Sequence, residues 1–342
     1  IGGKSYMLKI VYYDDESRGA RGAQLAERLI NQDRVKFMLG PYSSGLTKAI
    51  APITEKYKIP MVEANGASRS LFTKGYKYLF AVLSTSEQYL ASAIALAAEQ
   101  AKKAGRKVSS VKVALAFEND AFSQDVRAGV IDDIKKHGMR IVVDGKLPPE
   151  LNDMTAILRK VKVVKPDLLV VSGHSKGAAL VIRQLAAMKV NVPMLAMTHC
   201  DSARVIKKYG KVAEYALCAS QWSPTLSYKD KIFGSAGDFS VTFKKAYGYV
   251  PPYQAAESAA AVIVYADAFS RANSLETEKV RAALASTNIQ TFYGNVKFDS
   301  TGKNIAKPMV LYQIQNGKYE VVAPTKWASS TLRHPTPVWS KR

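Results

Sequence analysis

Short apolar runs alternate with amphipathic segments from residue 7 to residue 222. The runs that predict strands include "VKFMLG" (35–40), "IPMVEA" (59–64), "VKVALAFEND" (111–120) and "DLLVVSGH" (167–174), and the stretches between them have helical periodicity. Strands that are apolar on both faces are typical of parallel sheets with helices on both sides. The sequence therefore predicts an α/β fold with mostly parallel sheets.

The pattern begins and ends with less regular elements. "MLKIVYYD" (7–14) predicts a first strand. After residue 222 the periodicity predicts two long helices near 236–247 and 253–272 and a shorter one near 276–286. The hairpin "MVLYQIQNGKYEVV" follows and turns at Asn316-Gly317, since Asn-Gly is a strong hairpin signal.

Length and charge narrow the class of protein. The 342 residues allow two lobes at about 150 residues per domain. The net charge of +21 suggests nucleic acid as a partner, but the Lys and Arg residues are scattered in short groups at predicted helix ends without a nucleic-acid motif, which favours a solvated basic surface.

No apolar run reaches the ~18 residues of a membrane span. The opening "IGGKSYMLKI" lacks a signal's apolar segment, so we expect any signal peptide to have been removed.

The two cysteines have no metal-ligand spacing. Cys200 and Cys218 each lie near the end of a predicted strand. Two cysteines are too few for a disulfide framework, so the default prediction is a pair of buried thiols, and a Cys200–Cys218 bond is the alternative.

Two hydroxyl-rich turns follow successive predicted strands. Tyr42, Ser43 and Ser44 follow the first strand, and the stretch Asn65-Gly66-Ala67-Ser68 follows the second. Ligands of open parallel sheets bind at the carboxyl ends of strands. Serines there either cap the next helix or hold an anion together with free backbone N–H groups. Two such turns on successive units favour a shared anion site.

Polar and aromatic residues also follow a later strand. Glu118, Asn119 and Asp120 are ligand groups, metal ligands or acids that the helix dipole favours at an N-terminus, and the last reading is the default. Phe122 and Tyr42 are aromatic residues at strand ends, where they can line a pocket.

Two further strand-end loops carry His174 and the run His199-Cys200-Asp201. This set suggests a Cys/His nucleophile or a zinc site. However, the sequence has no HExxH, CxxC, GxSxG, GxGxxG or P-loop motif. We therefore favour ligand binding over catalysis or a metal site, with an enzyme that uses His174, His199 and Cys200 as the rival class.

The chain resembles a known family along its whole length. It is similar to the periplasmic solute-binding proteins of branched-chain amino-acid-type ABC transporters, which have the type I periplasmic binding fold. The segments that carry the resemblance are "LGPYSSGLTKAIAPITEKYKIPMVEANGASRSL", "YLFAVLSTSEQYLASAIALA", "FENDAFSQDVRAGV", "KPDLLVVSG" and "YGNVKFDSTGKNIAKPMVLYQIQNGKYEVVAP".

The resemblance implies two α/β lobes that close on a ligand in the cleft between them. Each lobe is a mostly parallel sheet flanked by helices. The first lobe would comprise residues 1–82 and 224–298, and the second residues 83–223 and 299–342. The three hinge crossings would fall near Ala81–Ser84, Ser220–Pro224 and Phe298–Gly302. Family members begin with a strand and helix that precede this sequence's opening segment, so that unit is either missing or replaced by another element.

The resemblance also implies roles for the strand-end loops. Ser43-Ser44 and Gly66-Ala67-Ser68 would hold the ligand carboxylate, and Phe122 would cover the ligand. The loops Ser172–Ser175 and Thr198–Asp201 match the remaining cleft loops.

The implied function is a non-enzymatic, monomeric receptor in the periplasm of a Gram-negative cell. It would deliver a small carboxylate to a membrane-embedded ABC permease, without a cofactor, metal or nucleic acid. Amino-acid receptors pair the ligand ammonium with an acid on the last loop, where this chain has His199 or Cys200 with Asp201 beside them. An unpaired buried ammonium is costly.

The aromatic residues Tyr42, Phe122, Trp222 and Tyr253 instead favour an aromatic carboxylate. The alternatives are a branched-chain or other aliphatic amino acid, or the sensory domain of a regulator.

Overall fold

The computed structural model of the protein describes residues 1–149 and 152–341. The chain forms two compact units, Ile1–Thr85 with Pro224–Pro308, and Ser86–Ser223 with Met309–Arg342. It therefore passes from one unit to the other three times.

The third passage lies after Pro308, whereas the sequence suggested residues 298–302. Residues 299–308 belong to the first unit, because Ala81 N–H donates to Gly302 O (2.9 Å) and Asn304 Nδ2 donates to Val82 O (2.7 Å).

The helices lie close to the predicted positions. Within the described residues they are α1 (Gly19–Asn31), α2 (Ser44–Lys56), α3 (Ala91–Lys103), α4 (Ala121–His137), α5 (Thr155–Val164), α6 (His174–Ala187), α7 (Ala203–Tyr209), α8 (Ala236–Tyr247), α9 (Tyr253–Ala272) and α10 (Thr277–Ala285). No helix in these described ranges combines the length and apolarity that crossing a membrane requires.

The strands are short in the first unit and longer in the second. Over the part of the chain that the structure describes they are β1 (Met38–Leu39), β2 (Met61–Glu63), β3 (Leu79–Ala81), β4 (Lys112–Glu118), β5 (Arg140–Leu147), β6 (Leu168–Ser172), β7 (Met194–Met197), β8 (Leu217–Ser220), β9 (Lys229–Asp230), β10 (Gly234–Ser235), β11 (Asn288–Gln290), β12 (Asn295–Lys297), β13 (Val310–Gln315) and β14 (Lys318–Ala323). The α/β architecture predicted from the alternation is confirmed.

The first unit is built on a parallel three-stranded sheet in the order β1-β2-β3. Helix α9 packs on it, and Tyr265 Oη donates to Met38 O (2.8 Å) and Pro60 O (2.7 Å). Phe37 adds edge-to-face contacts with Tyr265 and Phe269. These contacts tie the most apolar long helix to the strands whose ends carry the predicted serine turns.

The second unit has a seven-stranded sheet in the order β14-β13-β8-β7-β6-β4-β5. Strands β4 to β8 run parallel, and β13 and β14 are antiparallel additions at one edge. Strand β6 is buried along its full length, as expected for a parallel strand covered on both faces. The hairpin prediction is confirmed: Asn316 and Gly317 both have positive φ and connect β13 to β14.

The predicted first strand is wrong. Residues 7–13 form neither strand nor helix, and Met7, Ile10 and Tyr12 are 96%, 65% and 83% exposed. A strand requires a neighbour for its backbone N–H and C=O groups. No strand within residues 1–149 and 152–341 pairs with this segment, so its apolar pattern does not produce a strand.

The default prediction of two free thiols is also wrong. Cys200 and Cys218 form a disulfide with a Cα–Cα distance of 5.2 Å. Cys218 lies in β8, and Cys200 follows β7, the parallel neighbour of β8 in the sheet. Sequence spacing alone did not reveal that these two positions are adjacent.

Candidate functional site

A buried carboxylate lies beneath the two serine turns of the first unit. Glu63 is fully buried at the end of β2 and accepts hydrogen bonds from Thr47 Oγ1 (2.6 Å), Asn65 N (2.7 Å) and Gly66 N (2.8 Å). Burial raises the pKa of Glu63, and these donors oppose the shift. Two N–H groups of the predicted anion cradle thus already serve a carboxylate of the protein itself.

The two turns contact each other directly. Ser68 N–H donates to Ser44 Oγ at 3.0 Å, across 24 residues of sequence. Ser44 and Ser68 are 1% and 0% exposed. Ser68 Oγ is buried and has no hydrogen-bond partner among the described residues. Because buried hydroxyls are normally satisfied, this one marks a position at which an external group could bind.

The other predicted residues of this unit have different surroundings. Asn65 Nδ2 donates to Ser258 Oγ of α9 (3.0 Å), and Ala67 is buried. Tyr42 is 48% exposed. Ser43 precedes α2, but its side chain makes no capping hydrogen bond to the described helix. Capping by this serine, the alternative considered from sequence, is therefore absent.

Four rings cluster in the second unit. Phe122 lies 5.0 Å from Tyr89, 5.5 Å from His174 and 5.2 Å from His199 between ring centroids, and the two histidines are 5.0 Å apart. Phe122 is 5% exposed. These distances lie in the range of favourable aromatic contacts. The structure therefore brings together the predicted Phe122, His174 and His199, and adds Tyr89.

Both histidines have an uncommon backbone conformation. His174 and His199 have φ of 51° and 56°, in the left-handed region that residues with side chains seldom adopt. Such conformations cost free energy and are enriched at functional sites. Here they occur at the ends of β6 and β7, where both rings reach Phe122.

Acidic groups lie beside this ring cluster. Asp120 Oδ1 accepts from Phe122 N (2.9 Å) and Ser123 N (3.1 Å), which caps α4, and it lies 3.4 Å from His174 Nε2. The default prediction for Asp120, an acid at a helix N-terminus, is thus confirmed. Glu118 is 8% exposed, and one ligand atom from each of Glu118, Asp120 and His174 lies within 4.8 Å of the others.

The pKa values of this group reflect burial and mutual charge. Burial lowers the pKa of His174, but the hydrogen bond and charge of Asp120 and the charge of Glu118 outweigh it and raise the value. Burial acts to raise the pKa of Asp120, but the interactions with His174 and Ser123 outweigh burial and lower the value. Burial raises the pKa of Glu118, against the charge of His174. Burial and the charge of His174 lower the pKa of His199 to about 3, so His199 is neutral at ordinary pH.

A buried chain of hydroxyl groups joins two of the predicted cleft loops to Ser123, the residue after Phe122, which the sequence did not single out. Thr198 Oγ1 donates to Ser172 Oγ (3.1 Å), which donates to Ser123 Oγ (3.0 Å). Gln221 Nε2 donates to Tyr89 Oη (3.0 Å). These polar residues are scattered along the sequence, and the neighbouring strands β4, β6, β7 and β8 end close to Ser123, Ser172, Thr198 and Gln221 respectively.

Cys200 does not present a reactive thiol. Its sulfur is in the disulfide, and the residue is fully buried. The rival prediction of a Cys200 nucleophile is therefore wrong, because a bonded sulfur has no free thiol, whereas the predicted ligand contact of Cys200 stays a prediction. Burial raises the pKa of the neighbouring Asp201 to about 6, opposed by a hydrogen bond from Ser220. Trp222 and Tyr253 are buried, in the second and first unit respectively.

The chain matches known proteins along most of its length. A family model described as "Periplasmic binding protein" matches residues 1–318. The Leu/Ile/Val-binding protein homolog 7 of Brucella abortus (strain 2308) is 21% identical over 325 residues, which cover 91% of this chain and 79% of that protein.

Solved structures share the fold. A branched-chain amino acid transporter substrate-binding protein of Streptococcus pneumoniae, in complex with isoleucine, has a TM-score of 0.77 at 22% identity and covers 92% of this chain and 87% of its own. A solute-binding protein of an ABC transporter from R. palustris, in complex with benzoate, has a TM-score of 0.77 at 19% identity. The alignment covers 94% of this chain and 85% of the R. palustris chain. Because the family model spans nearly the whole sequence, the chain belongs to the periplasmic binding protein family, in the type associated with branched-chain amino-acid ABC transporters.

Proposed function

We propose that this chain is the receptor for a small aromatic carboxylate, which it delivers to an ABC permease. Binding proteins of this family bind small molecules outside the cytoplasm and pass them to such permeases. The observation that carries the aromatic assignment is the cluster of Phe122, His174, His199 and Tyr89. Flat apolar and imidazole faces suit a benzoate-like ring, since offset and edge contacts add about 0.5–1.5 kcal/mol per pair.

The ligand carboxylate would bind at the serine turns of the first unit. Ser68 Oγ supplies a buried hydroxyl with no partner among the described side chains and backbone groups. The net charge of +21 would also favour encounter with an anion. By contrast, the buried Glu63 disfavours a second negative charge close to it, which favours the Ser68 side of the turn for the carboxylate.

An aliphatic amino acid is the second candidate. It is favoured by the complex of the Streptococcus pneumoniae protein with isoleucine and by the carboxylates of Glu118 and Asp120, which can pair with an ammonium group. The aromatic acid is preferred, because the ring cluster provides aromatic contact partners and the R. palustris protein binds benzoate.

We also propose that the receptor is non-catalytic, monomeric and periplasmic. A disulfide and a histidine support the absence of catalysis and the compartment. The Cys200–Cys218 bond removes the one nucleophile that sequence suggested and is typical of proteins in oxidising compartments. His199, with a pKa of about 3, is a poor general base at neutral pH.

Isothermal titration of the full chain with benzoate, 4-hydroxybenzoate, leucine and isoleucine tests the ligand class. We expect saturable binding of an aromatic acid, weakened about tenfold by Phe122→Leu. The control Phe243→Leu, in α8 of the first unit, should bind like wild type. Binding of leucine or isoleucine with no binding of either aromatic acid would reverse the assignment.

Two serine variants separate ligand contact from structural support. Ser68→Ala should weaken aromatic-acid binding by roughly 1.5–3 kcal/mol with little change in stability, because its hydroxyl has no described partner. Ser44→Ala should lower the free energy of unfolding by about 1–3 kcal/mol, because it leaves the buried Ser68 N–H without its acceptor. Titration calorimetry and urea unfolding measure the two effects. Normal affinity in Ser68→Ala would mean that the ligand carboxylate does not bind at Ser68.

A further inference from the structure

We propose that Glu118, Asp120 and His174 bind one divalent transition-metal ion of the Zn²⁺ class. One ligand atom from each residue lies within 4.8 Å of the other two. All three residues lie in the second unit, and His174 also belongs to the ring cluster proposed above to contact the organic ligand.

The sheet topology explains why these residues meet. Glu118 is the last residue of β4, Asp120 is the N-cap of α4, and His174 begins α6 directly after β6. Strands β4 and β6 are parallel neighbours, with Phe117 opposite Ser172. Their carboxyl ends therefore place the three side chains at the same edge of the sheet.

Glu118 is the strongest indication that a cation belongs here. It is 8% exposed, and its carboxylate makes no hydrogen bond or ion pair with any residue that the structure describes. A buried carboxylate that lacks such partners is costly. Its oxygen lies close enough to Asp120 and His174 for a single ion to contact all three.

The two carboxylate oxygens of Asp120 differ in their hydrogen bonding. Oδ1 caps α4 through Phe122 N and Ser123 N. Oδ2 is buried and has no hydrogen-bond partner within the described ranges. His174 Nε2 lies 3.4 Å from Asp120 Oδ1, so a neutral His174 would offer a nitrogen ligand beside the carboxylates.

The donor set decides the class of ion. One imidazole and two carboxylates match the ligands that Zn²⁺ accepts at about 2.0–2.2 Å, whereas Mg²⁺ and Ca²⁺ prefer shells made of oxygen alone. Three protein ligands leave a fourth tetrahedral position for water or an anion.

The test is titration of the chelator-treated full chain without any organic ligand. Zn²⁺ is followed by calorimetry and Co²⁺ by its visible absorption, with Mg²⁺ as a hard-cation comparison. We expect one Zn²⁺ or Co²⁺ per chain and no saturable Mg²⁺ binding. Glu118→Gln and His174→Ala should each lower the affinity for Zn²⁺ at least tenfold, and His174→Ala should change the Co²⁺ spectrum.

The matched controls are Glu99→Gln, on the exposed side of α3, and His137→Ala, at the end of α4. Both should bind Zn²⁺ like wild type. Circular dichroism of each variant verifies that it folds. The proposal is overturned if Zn²⁺ fails to bind saturably, or if Glu118→Gln and His174→Ala bind as tightly as the controls. Repeating the aromatic-acid titration with chelator present gives a separate measurement, so failure of the metal site is distinguishable from failure of the ligand assignment.

Discussion

Lys307 is a charged side chain in the interior of the first unit. It is 3% exposed, and its Nζ lies 4.3 Å from the centroid of the Tyr293 ring. Tyr293 Oη donates to Glu257 Oε2 at 3.0 Å, so a buried acid lies at the hydroxyl end of the same ring. Burial lowers the pKa of Lys307 to about 7, although the charge of Glu257 opposes the shift.

This shift predicts a pH-dependent stability. The unfolded chain keeps the lysine proton up to a pKa of 10.5, and the folded chain releases it near pH 7. The unfolded state therefore binds more protons between these values, so the free energy of unfolding rises with pH in this window. Below about pH 7 both states are protonated and the full cost of burying the charge remains.

The comparison that checks it uses Lys307→Met. Between about pH 7 and about pH 9, urea unfolding should show the free energy of unfolding of the wild type rising by on the order of 2 kcal/mol relative to that of the variant. Groups that titrate equally in both proteins cancel in this difference. A constant difference between the two proteins over the window would mean that Lys307 keeps its proton when folded.

At the scale of elements, the backbone at the ends of β1 and β2 packs closely around one carboxylate. A methyl carbon at Gly40 would lie 2.1 Å from Glu63 Oε2, and one at Gly66 would lie 2.2 Å from Thr47 Oγ1. Glycine is required at Gly40 because the Glu63 side chain, held by three donors, occupies that space, and at Gly66 because Thr47 Oγ1, one of those donors, does. The strand ends, the helix α2 and the turn therefore share one hydrogen-bonded centre.

Gly40→Ala should lower the free energy of unfolding by about 2 kcal/mol, the range for overpacking a buried site. The matched control is Gly45→Ala in α2, where a methyl carbon would meet its nearest neighbour at 3.8 Å. That change should stabilise the protein by up to about 1 kcal/mol, since alanine is the better helix former. Urea unfolding measures both.

A second variant tests the cause. Glu63→Ala removes the clashing oxygen, so Gly40→Ala should cost at least about 1 kcal/mol less in that background. Equal costs in the two backgrounds would show that backbone conformation, and not the carboxylate, requires Gly40.

At the scale of the whole molecule, neither unit is continuous in sequence. The sheet of the second unit depends on β13, which inserts between β14 and β8 with Val310 opposite Ser220. Without residues 309–341, β8 would become an unprotected edge with unpaired backbone groups.

We therefore expect residues 86–223 joined by a short linker to 309–341 to fold alone, with a cooperative urea transition. Residues 86–223 without the hairpin should lack that transition and aggregate. Circular dichroism and size-exclusion chromatography distinguish the two products. A cooperative transition of the shorter fragment at the same urea midpoint would show that the hairpin is dispensable.

Local sequence patterns determined most of the elements. Helical periodicity predicts helices over 18–32 and 122–138, close to the observed α1 and α4, and continuous apolar runs predict β4 and β6, because these signals depend on residues a few positions apart. Asn316-Gly317 determined the hairpin, since both residues tolerate positive φ. The family resemblance rests on the quoted sequence segments, and the match over residues 1–318 confirms it.

Tertiary structure decided what depends on residues far apart in sequence. It joined Cys200 to Cys218, paired Ser68 N–H with Ser44 Oγ and filled part of the predicted cradle with Glu63. It also left residues 7–13 without a partner strand. The physical reason is common to all: periodicity identifies an element and its buried face, but contacts at strand ends depend on which strands become neighbours in the sheet. The neighbours β4, β6 and β7 are what bring Phe122, His174 and His199 together.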